Sequence, residues 1–353
     1  MDKIDVGIIG TGWCGGIRAN TCAASPIVNE LHIAEIDEDR LKEVSEQTNP
    51  TSSTPDYRDL ITNKTITTII VSATPETTHY PMAKESLLAG KHVFLEKPLA
   101  LTLAEADELI QISKESDLKF AIGYSQRFNP KFAYIKKCIK EKKIGDPVCA
   151  LVSRHITRGL GKKISSRIKL SPAAMEATHD LDFVLWCMEP AKPIRVYSQT
   201  AYGAMQHETG SADAQWLMIT MDNGVVLSVG AGWSMPPGYP NYSGTWIEVV
   251  GTDGMLVIDD THRDVVFNTM KNGIQLPMSS MPGEPVDHVF AGPMHNETVH
   301  YLEAVAFDRP VMVTAEKARR VMEVYMAADL SDERNEVVDL PLSESKLSAV
   351  AAA

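Results

Sequence analysis

The stretch Gly10-Thr11-Gly12-Trp13-Cys14-Gly15 constrains this chain more than any other. It follows the apolar run Ile4-Asp5-Val6-Gly7-Ile8-Ile9 and leads into a helical stretch from Ile17 to Ala24, so it marks a sharp strand-to-helix turn. In that setting Gly10 permits the turn, Gly12 lets backbone N–H groups approach a pyrophosphate, and Gly15 allows close packing of helix on strand. The helix N-terminus adds partial positive charge. Trp13 and Cys14, inside the same loop, are cofactor-side candidates with the three glycines. A second strand, Leu31-His32-Ile33-Ala34, ends in Glu35, close to the spacing of ~20 residues at which an acid accepts the ribose hydroxyls. A carboxylate there repels the 2′-phosphate of NADP, which makes NAD the expected cofactor and NADP the lesser one. Asp37 competes for the ribose, but Asp37-Glu38-Asp39-Arg40-Leu41 reads better as a helix start with acids in its first turn. Arg40 is then a candidate to stack over adenine.

The alternation continues. The β-branched run Thr67 to Ser72 breaks at Ala73-Thr74-Pro75, and a helix over Met82 to Leu88 stops at Gly90. Strand His92 to Glu96 follows, then the capping box Thr102-Leu103-Ala104-Glu105, then Leu118 to Ile122. Repeated strand–helix units predict a doubly wound parallel sheet, whose ligands bind beyond the carboxyl ends of its strands. Thr74, Pro75 and His79 are therefore cofactor-side candidates. Phe94-Leu95-Glu96-Lys97-Pro98 delivers a carboxylate and an ammonium to the same edge.

At 353 residues the chain fits two domains, with the expected division at 1–125 for the dinucleotide and 126–353 for substrate and oligomer contacts. A net charge of -12 argues against nucleic acid as a partner. Five scattered cysteines without a C-x-x-C pair indicate neither a disulfide framework nor a zinc site, and imply a reducing compartment. Met1-Asp2-Lys3-Ile4 runs straight into the first strand, and no apolar run approaches the ~20 residues of a membrane span, so the expected location is cytoplasmic.

Beyond Phe128 the pattern becomes β-rich. Val148–Ile156, Ile194–Tyr202, Ala214–Met221, Val225–Trp233, Trp246–Val250 and Met255–Ile258 read as strands of a large, predominantly antiparallel open sheet, and Glu316–Ala328 reads as a final helix. The expected class is an N-terminal Rossmann α/β domain followed by a C-terminal α+β domain. Between the strands, Met175-Glu176-Ala177-Thr178-His179-Asp180-Leu181-Asp182 opens an apolar helix. Arg154, His155, Arg158, Lys162, Lys163, Arg167 and Lys169 form a basic run with no acid between them. It is either a solvated face or the holder of an anionic substrate, with Arg154, His155 and Arg158 as the substrate candidates. Trp233 to Pro240 reads as a surface loop or subunit contact, with a lid as the alternative.

The glycine fingerprint, Ala73-Thr74-Pro75 with His79, the run from Ala89 to Thr102, and Gly123-Tyr124-Ser125-Gln126-Arg127-Phe128 together resemble the Gfo/Idh/MocA oxidoreductases over essentially the whole length. The resemblance implies that Lys97 is catalytic beside the reacting hydroxyl, and that Glu96 and Arg127 lie on the cofactor side. It also implies a cis Lys97–Pro98 bond. His179 matches the family's catalytic histidine in an H-D-x-D setting, with Asp182 on the substrate side. The family's usual acid, four residues before that histidine, is Met175 here, so that acid is either replaced by Glu176 from the neighbouring helical position or missing. The implied activity is NAD-dependent oxidation of a secondary hydroxyl on a sugar, cyclitol or sugar derivative, without a metal, in a homodimer or homotetramer built on the C-terminal sheet. An NADP-linked keto-sugar reductase and a non-catalytic NAD-binding regulator are the alternatives.

Overall fold

The computed structural model describes residues 3–236, 243–259, 267–271, 273–275, 284–286 and 289–343. They fall into two units, 1–128 with 281–319 and 129–280 with 320–353. The sequence reading assigned everything after residue 125 to the second domain, whereas residues 281–319 fold with the first.

In the first unit the strand–helix units are β1 (Ile4–Ile9), α1 (Trp13–Ala24), β2 (Val28–Ala34), α2 (Glu38–Thr48), β3 (Ser52–Thr54), α3 (Tyr57–Thr62), β4 (Thr68–Val71), α4 (His79–Leu88), β5 (His92–Glu96), α5 (Leu103–Glu115) and β6 (Phe120–Gly123). The six strands pair in parallel in the order β3-β2-β1-β4-β5-β6, the doubly wound arrangement. Ile69, Ile70, Val71, Val93, Phe94 and Leu95 are all buried, as expected of parallel strands covered on both faces. Strand order reverses between β1 and β4, so the crevice opens at the ends of those strands. There Gly10 adopts φ +80°, and a Cβ on it would stand 2.5 Å from Ala73 Cα. Glycine at this point is required both by the backbone conformation and by the loop that crosses it.

The second unit begins with α6 (Pro130–Lys140), β7 (Pro147–Thr157), α7 (Arg158–Ser165), a π-helical turn at Ala173–Ala177, α8 (Thr178–Met188), β8 (Pro193–Ala201) and α9 (Ala204–Thr209). It continues with β9 (Ala214–Met221), β10 (Val226–Met235), β11 (Ser243–Gly251) and β12 (Met255–Asp259). Two short ribbons come next in the chain, β13 (Phe267–Thr269) with β14 (Gly273–Gln275) and β15 (Glu284–Val286) with β16 (Val289–Ala291). The last elements are α10 (Pro293–Ala306), α11 (Ala315–Arg334) and β17 (Val338–Asp339). The large sheet runs β12-β11-β7-β10-β9-β8-β17, antiparallel except for the β7–β10 pair. Val152, Leu217, Ile219, Leu227, Val229, Ile247 and Val249 are buried, while their strand neighbours Leu151, Trp216, Met218, Val226 and Val257 are exposed, the period-2 signature of a sheet with one covered face.

Helix α10 was not read from sequence. Its Tyr301 and Leu302 join the core of the first unit with Ile8, Ile33 and Phe94, and the Phe94 and Tyr301 rings meet edge to face at 5.4 Å. No helix among the described residues is long and apolar enough to cross a membrane.

Gly10→Ala should destabilise the protein by roughly 1–3 kcal/mol, since alanine is strained at positive φ and its methyl meets Ala73. Urea unfolding checks this, and an unchanged midpoint would show that the turn relaxes without cost.

Candidate active site

On the dinucleotide side of the first unit, α1 starts at Gly12 with no side-chain cap and no acid in its first turn. Its leading N–H groups and the helix dipole thus remain available to an anion. A Cβ on Gly12 would meet nothing within 4 Å, whereas one on Gly15 would stand 1.9 Å from the Gly10 carbonyl oxygen. The first of these glycines leaves room for a ligand and the second for packing. The buried Ser72 hydroxyl, at the end of β4, has no hydrogen-bond partner among the described residues. An uncapped helix start, open space over Gly12 and an orphaned hydroxyl fit the pyrophosphate half of a dinucleotide.

Glu35 follows β2 directly. Its Oε2 accepts from the Thr11 backbone N–H at 2.6 Å and the Thr11 hydroxyl at 3.1 Å, and its Oε1 accepts from the Asp37 N–H at 3.2 Å. The Asp37 side chain caps α2 through the Arg40 N–H at 2.9 Å, which agrees with its reading as a helix start. Arg40 donates from Nε to the Thr11 carbonyl at 2.6 Å and from Nη2 to the Gly12 carbonyl at 3.3 Å, while Nη1 pairs with Glu43 at 2.6 Å. It braces the glycine loop from the adenosine side. Trp13, 58% exposed, stands at the first helical position.

At the end of β5 the site is ionic. Arg18 on α1 is 1% exposed; its Nε and Nη2 donate to Glu96 Oε1 at 2.8 and 2.6 Å, Nη2 pairs with Glu297 at 2.7 Å, and Nη1 donates to the Thr298 hydroxyl at 2.8 Å. The guanidinium lies 4.0 Å from the centroid of the Phe94 ring. Burial opposes its charge, but Glu96 and Glu297 outweigh burial and hold its pKa above the ordinary arginine value. Gly123 on β6 makes the space: a Cβ there would stand 2.7 Å from Glu96 Oε2. Cys14 faces the same charges. Burial and Glu96 push its thiol up to about 12, against the opposing influence of Arg18 and Lys97, so it is no thiolate at neutral pH. Half-buried Lys97 follows Glu96 directly, and both Lys97–Pro98 and Thr74–Pro75 are cis.

His79 is buried, with Nδ1 2.7 Å from the Pro98 carbonyl and Nε2 3.1 Å from the Ala73 carbonyl. Burial lowers its pKa against the opposing carbonyls, and a neutral ring has one N–H, which it can donate to either the Pro98 or the Ala73 carbonyl but not to both. Arg127 is buried too, with Nη1 3.4 Å from the Met312 carbonyl. Arg18, Glu297 and Thr298 were missed in the sequence. The available signal was an arginine inside the otherwise uncharged helix Trp13–Ala24.

In the second unit, Glu176 and half-buried His179 lie three residues apart where the π-helical turn passes into α8, a spacing that suits neighbours on one helical face. Turns of this kind recur at functional sites. Glu176 Oε1 accepts from the Trp233 indole N–H at 3.2 Å. Met175 instead packs with Ile156, Met205 and Trp233 in an apolar cluster.

Arg154 and Asp180 form a buried two-point ion pair, Nε to Oδ2 at 2.5 Å and Nη2 to Oδ1 at 2.9 Å. His155, the next residue on β7, lies on the other face of the sheet, 3.2 Å from the Ser234 hydroxyl and 5.7 Å from the Trp216 ring centroid, with its pKa lowered by burial. Arg158 donates to the Ser234 carbonyl at 3.2 Å, Lys162 pairs with Glu208, and Lys169 donates to the Thr209 carbonyl at 2.6 Å. The basic run is therefore dispersed rather than gathered. Asp182 is fully buried on α8. Of the expected loop over Trp233 to Pro240, residues 237–240 lie outside the described residues.

The family described as "Oxidoreductase family, NAD-binding Rossmann fold" matches residues 4–124, and the "GFO/IDH/MocA C-terminal domain" matches residues 132–257. Myo-inositol 2-dehydrogenase of Thermotoga maritima is 26% identical over 271 residues, covering 76% of this chain and 79% of that protein. The scyllo-inositol 2-dehydrogenase (NAD(+)) of Bacillus subtilis is 24% identical over 337 residues, 92% and 93% of the two chains. In fold, the chain matches the crystal structure of scyllo-inositol dehydrogenase from Lactobacillus casei with bound NAD(H) and scyllo-inositol at a TM-score of 0.82 and 21% identity, covering 96% of this chain and 99% of that one.

The turn that carries Glu176 is held from below. The Ala173 N–H donates to Gln215 Oε1 at 3.0 Å and the Ala174 N–H to the Ser171 hydroxyl at 3.1 Å, while Gln215 and Ser171 each donate to Asp329 at 3.0 Å. Burial, reinforced by the charge of Asp332 and opposed by those two donors, pushes the Asp329 carboxyl up to about 6. It therefore binds its proton more tightly folded than unfolded. The resulting stability is full below the ordinary aspartate range and is lost as pH rises through about 6. Asp329→Asn should raise the unfolding free energy at pH 8 by up to about 3 kcal/mol and leave it nearly unchanged at pH 4. Denaturant titrations at the two pH values check this, and an equal effect at both would remove the carboxyl's ionisation as the cause.

Proposed function

The chain belongs to the Gfo/Idh/MocA oxidoreductase family, and on that premise we propose that it oxidises a secondary hydroxyl of a neutral cyclitol or sugar to the ketone. NAD, when bound, supplies the hydride acceptor. The observation that carries the reading is the position of Lys97, at the carboxyl end of β5, across the switch point from Glu35. With Glu35 and the glycine loop taking the adenosine half, the reacting half of a dinucleotide falls to the β4–β5 side, where Lys97 is the ionisable side chain next in sequence to the Arg18–Glu96 pair.

Lys97 takes the hydroxyl proton as hydride leaves the carbon, and His179 is the second catalytic residue that the family resemblance implies. Glu176, held by Trp233, stands in for the family's usual acid. Gly10, Gly12, Trp13, Cys14, Gly15, Glu35, Arg40, Thr74, Pro75, His79, Glu96 and Arg127 form or brace the cofactor side, and Asp182 supports the substrate side. The neutral substrate is favoured because the basic run spends its charge internally: Arg154 on Asp180, Lys162 on Glu208, Lys169 on a carbonyl. The names of the inositol dehydrogenases similar to this chain support the cyclitol class.

A homodimer or homotetramer through the large sheet is part of the same reading. Trp216 and Met218 are 43% and 47% exposed on its uncovered face, and Gly230 opposite Trp216 lacks the Cβ that would lift the indole away from the sheet. A broad apolar face of this kind suits a self-complementary contact.

Lys97→Ala should bind NAD nearly as tightly as the wild type and lose ~10²–10⁴-fold in kcat on the best cyclitol, with His179→Ala similar. Wild-type turnover by Lys97→Ala would end the reading. NAD should exceed NADP in kcat/KM, and Glu35→Ser should narrow that ratio even though the lost contact to Thr11 weakens both cofactors. A wild type that prefers NADP would refute the role of Glu35.

A further inference from the structure

Resting on the assignment of Glu35 to the ribose, we propose that Thr11 is the positioning residue that holds the Glu35 carboxylate for the ribose and thereby sharpens the preference for NAD over NADP. All three polar groups of Thr11 are engaged on the adenosine side of the site. Its backbone N–H donates to Glu35 Oε2 at 2.6 Å, its hydroxyl donates to the same oxygen at 3.1 Å, and its carbonyl accepts from Arg40 Nε at 2.6 Å. The acid after β2 and the arginine of α2 are thus both registered to the glycine loop through one residue, 24 and 29 positions earlier in the chain.

Two of these groups belong to the backbone and survive almost any substitution. The hydroxyl is what threonine adds. Thr11 is wholly buried, where valine would fill the same space with one polar group fewer, so a hydroxyl kept there needs a partner, and among the described residues that partner is Glu35. The carboxylate is otherwise weakly anchored: half-buried after a strand end, it receives the Asp37 N–H on Oε1 at 3.2 Å in an exposed setting. Oε2 holds both Thr11 donors and Oε1 the Asp37 donor, so a carboxylate of about four acceptor sites keeps capacity for a ribose hydroxyl. Pinned in this way, Glu35 meets the ribose without first giving up side-chain freedom, and its charge stays where it opposes a 2′-phosphate. A carboxylate that swings out to solvent loses both effects.

The test is calorimetric titration of NAD and NADP into wild type, Thr11→Val, Thr11→Ser and Glu35→Ser. Thr11→Val removes the hydroxyl and keeps the backbone N–H bond, so the ratio of the two Kd values should narrow ~3–10-fold, less than in Glu35→Ser. Thr11→Ser keeps the hydroxyl and should hold the wild-type ratio. If Thr11→Val does not fold, Thr11→Ala removes the hydroxyl without setting a methyl against the carboxylate and should narrow the ratio in the same way. A merely structural hydroxyl would lower the unfolding midpoint, or weaken both cofactors alike, and leave the ratio unchanged. That result beside a narrowed ratio in Glu35→Ser would overturn the role of Thr11 alone, as would a Thr11→Ser ratio that narrows as far as that of Thr11→Val. A wild type that prefers NADP, or an unchanged ratio in Glu35→Ser, would instead overturn the assignment of Glu35 to the ribose, and the proposal with it.

Discussion

A guanidinium that is 1% exposed must be compensated, and the compensation of Arg18 organises the first unit. Burying a charge without partners costs several kcal/mol, and removing one partner of a buried pair typically costs about 3–5 kcal/mol. Arg18 therefore fixes the distance between α1, which follows the glycine loop, and β5, which ends in Glu96. It also recruits α10, whose Glu297 and Thr298 complete its shell and whose Tyr301 packs on Phe94 beneath it. This gives a physical reason why residues 281–319 close on the first unit although the chain has by then built most of the second.

The parts legible in the sequence are those with a local signal. Apart from the short β3 and β17, which were not read, the strands of both sheets follow from period-2 or fully apolar runs, the turn at Gly10 from the glycine spacing, and the helix start at Thr102 from its capping box, in which Thr102 accepts from the Glu105 N–H at 3.2 Å. The places of Glu35 and Lys97 directly after β2 and β5 were legible too, because each follows an apolar run that reads as a strand. Arg18 with Glu297 was not, because two residues 279 apart leave no trace of their pairing in either local sequence. Helix α10 was missed for a related reason: His295, Asn296, Glu297 and Thr298 look like a polar loop until Glu297 and Thr298 are seen to face a buried arginine.

Charge adjacent in sequence was a poor guide to charge adjacent in space. Arg154 and His155 are consecutive on a strand, and consecutive strand residues point to opposite faces, so one meets Asp180 inside while the other meets Trp216 outside. The same one-residue logic governs the helix entry. Met175 packs against Ile156, Met205 and Trp233, where an ionised side chain would be desolvated. Glu176, one step round the turn, instead takes the indole N–H of Trp233, so a single tryptophan both covers position 175 and supplies a donor at 176.

Glu96 and Glu176 are thus each held by a donor that is itself nearly inaccessible: Glu96 by Arg18, and Glu176 by Trp233. A catalytic group gains when its orientation is fixed before substrate arrives, since no reorganisation is then left to the reacting state. Trp233 is fixed in turn by Gly161, where a Cβ would stand 2.5 Å from the tryptophan Cβ, as Arg18 and Glu96 are accommodated by Gly123. Each unit therefore carries its own orienting pair, backed by a glycine whose missing side chain makes the room. Both carboxylates are oriented within the unit that bears them.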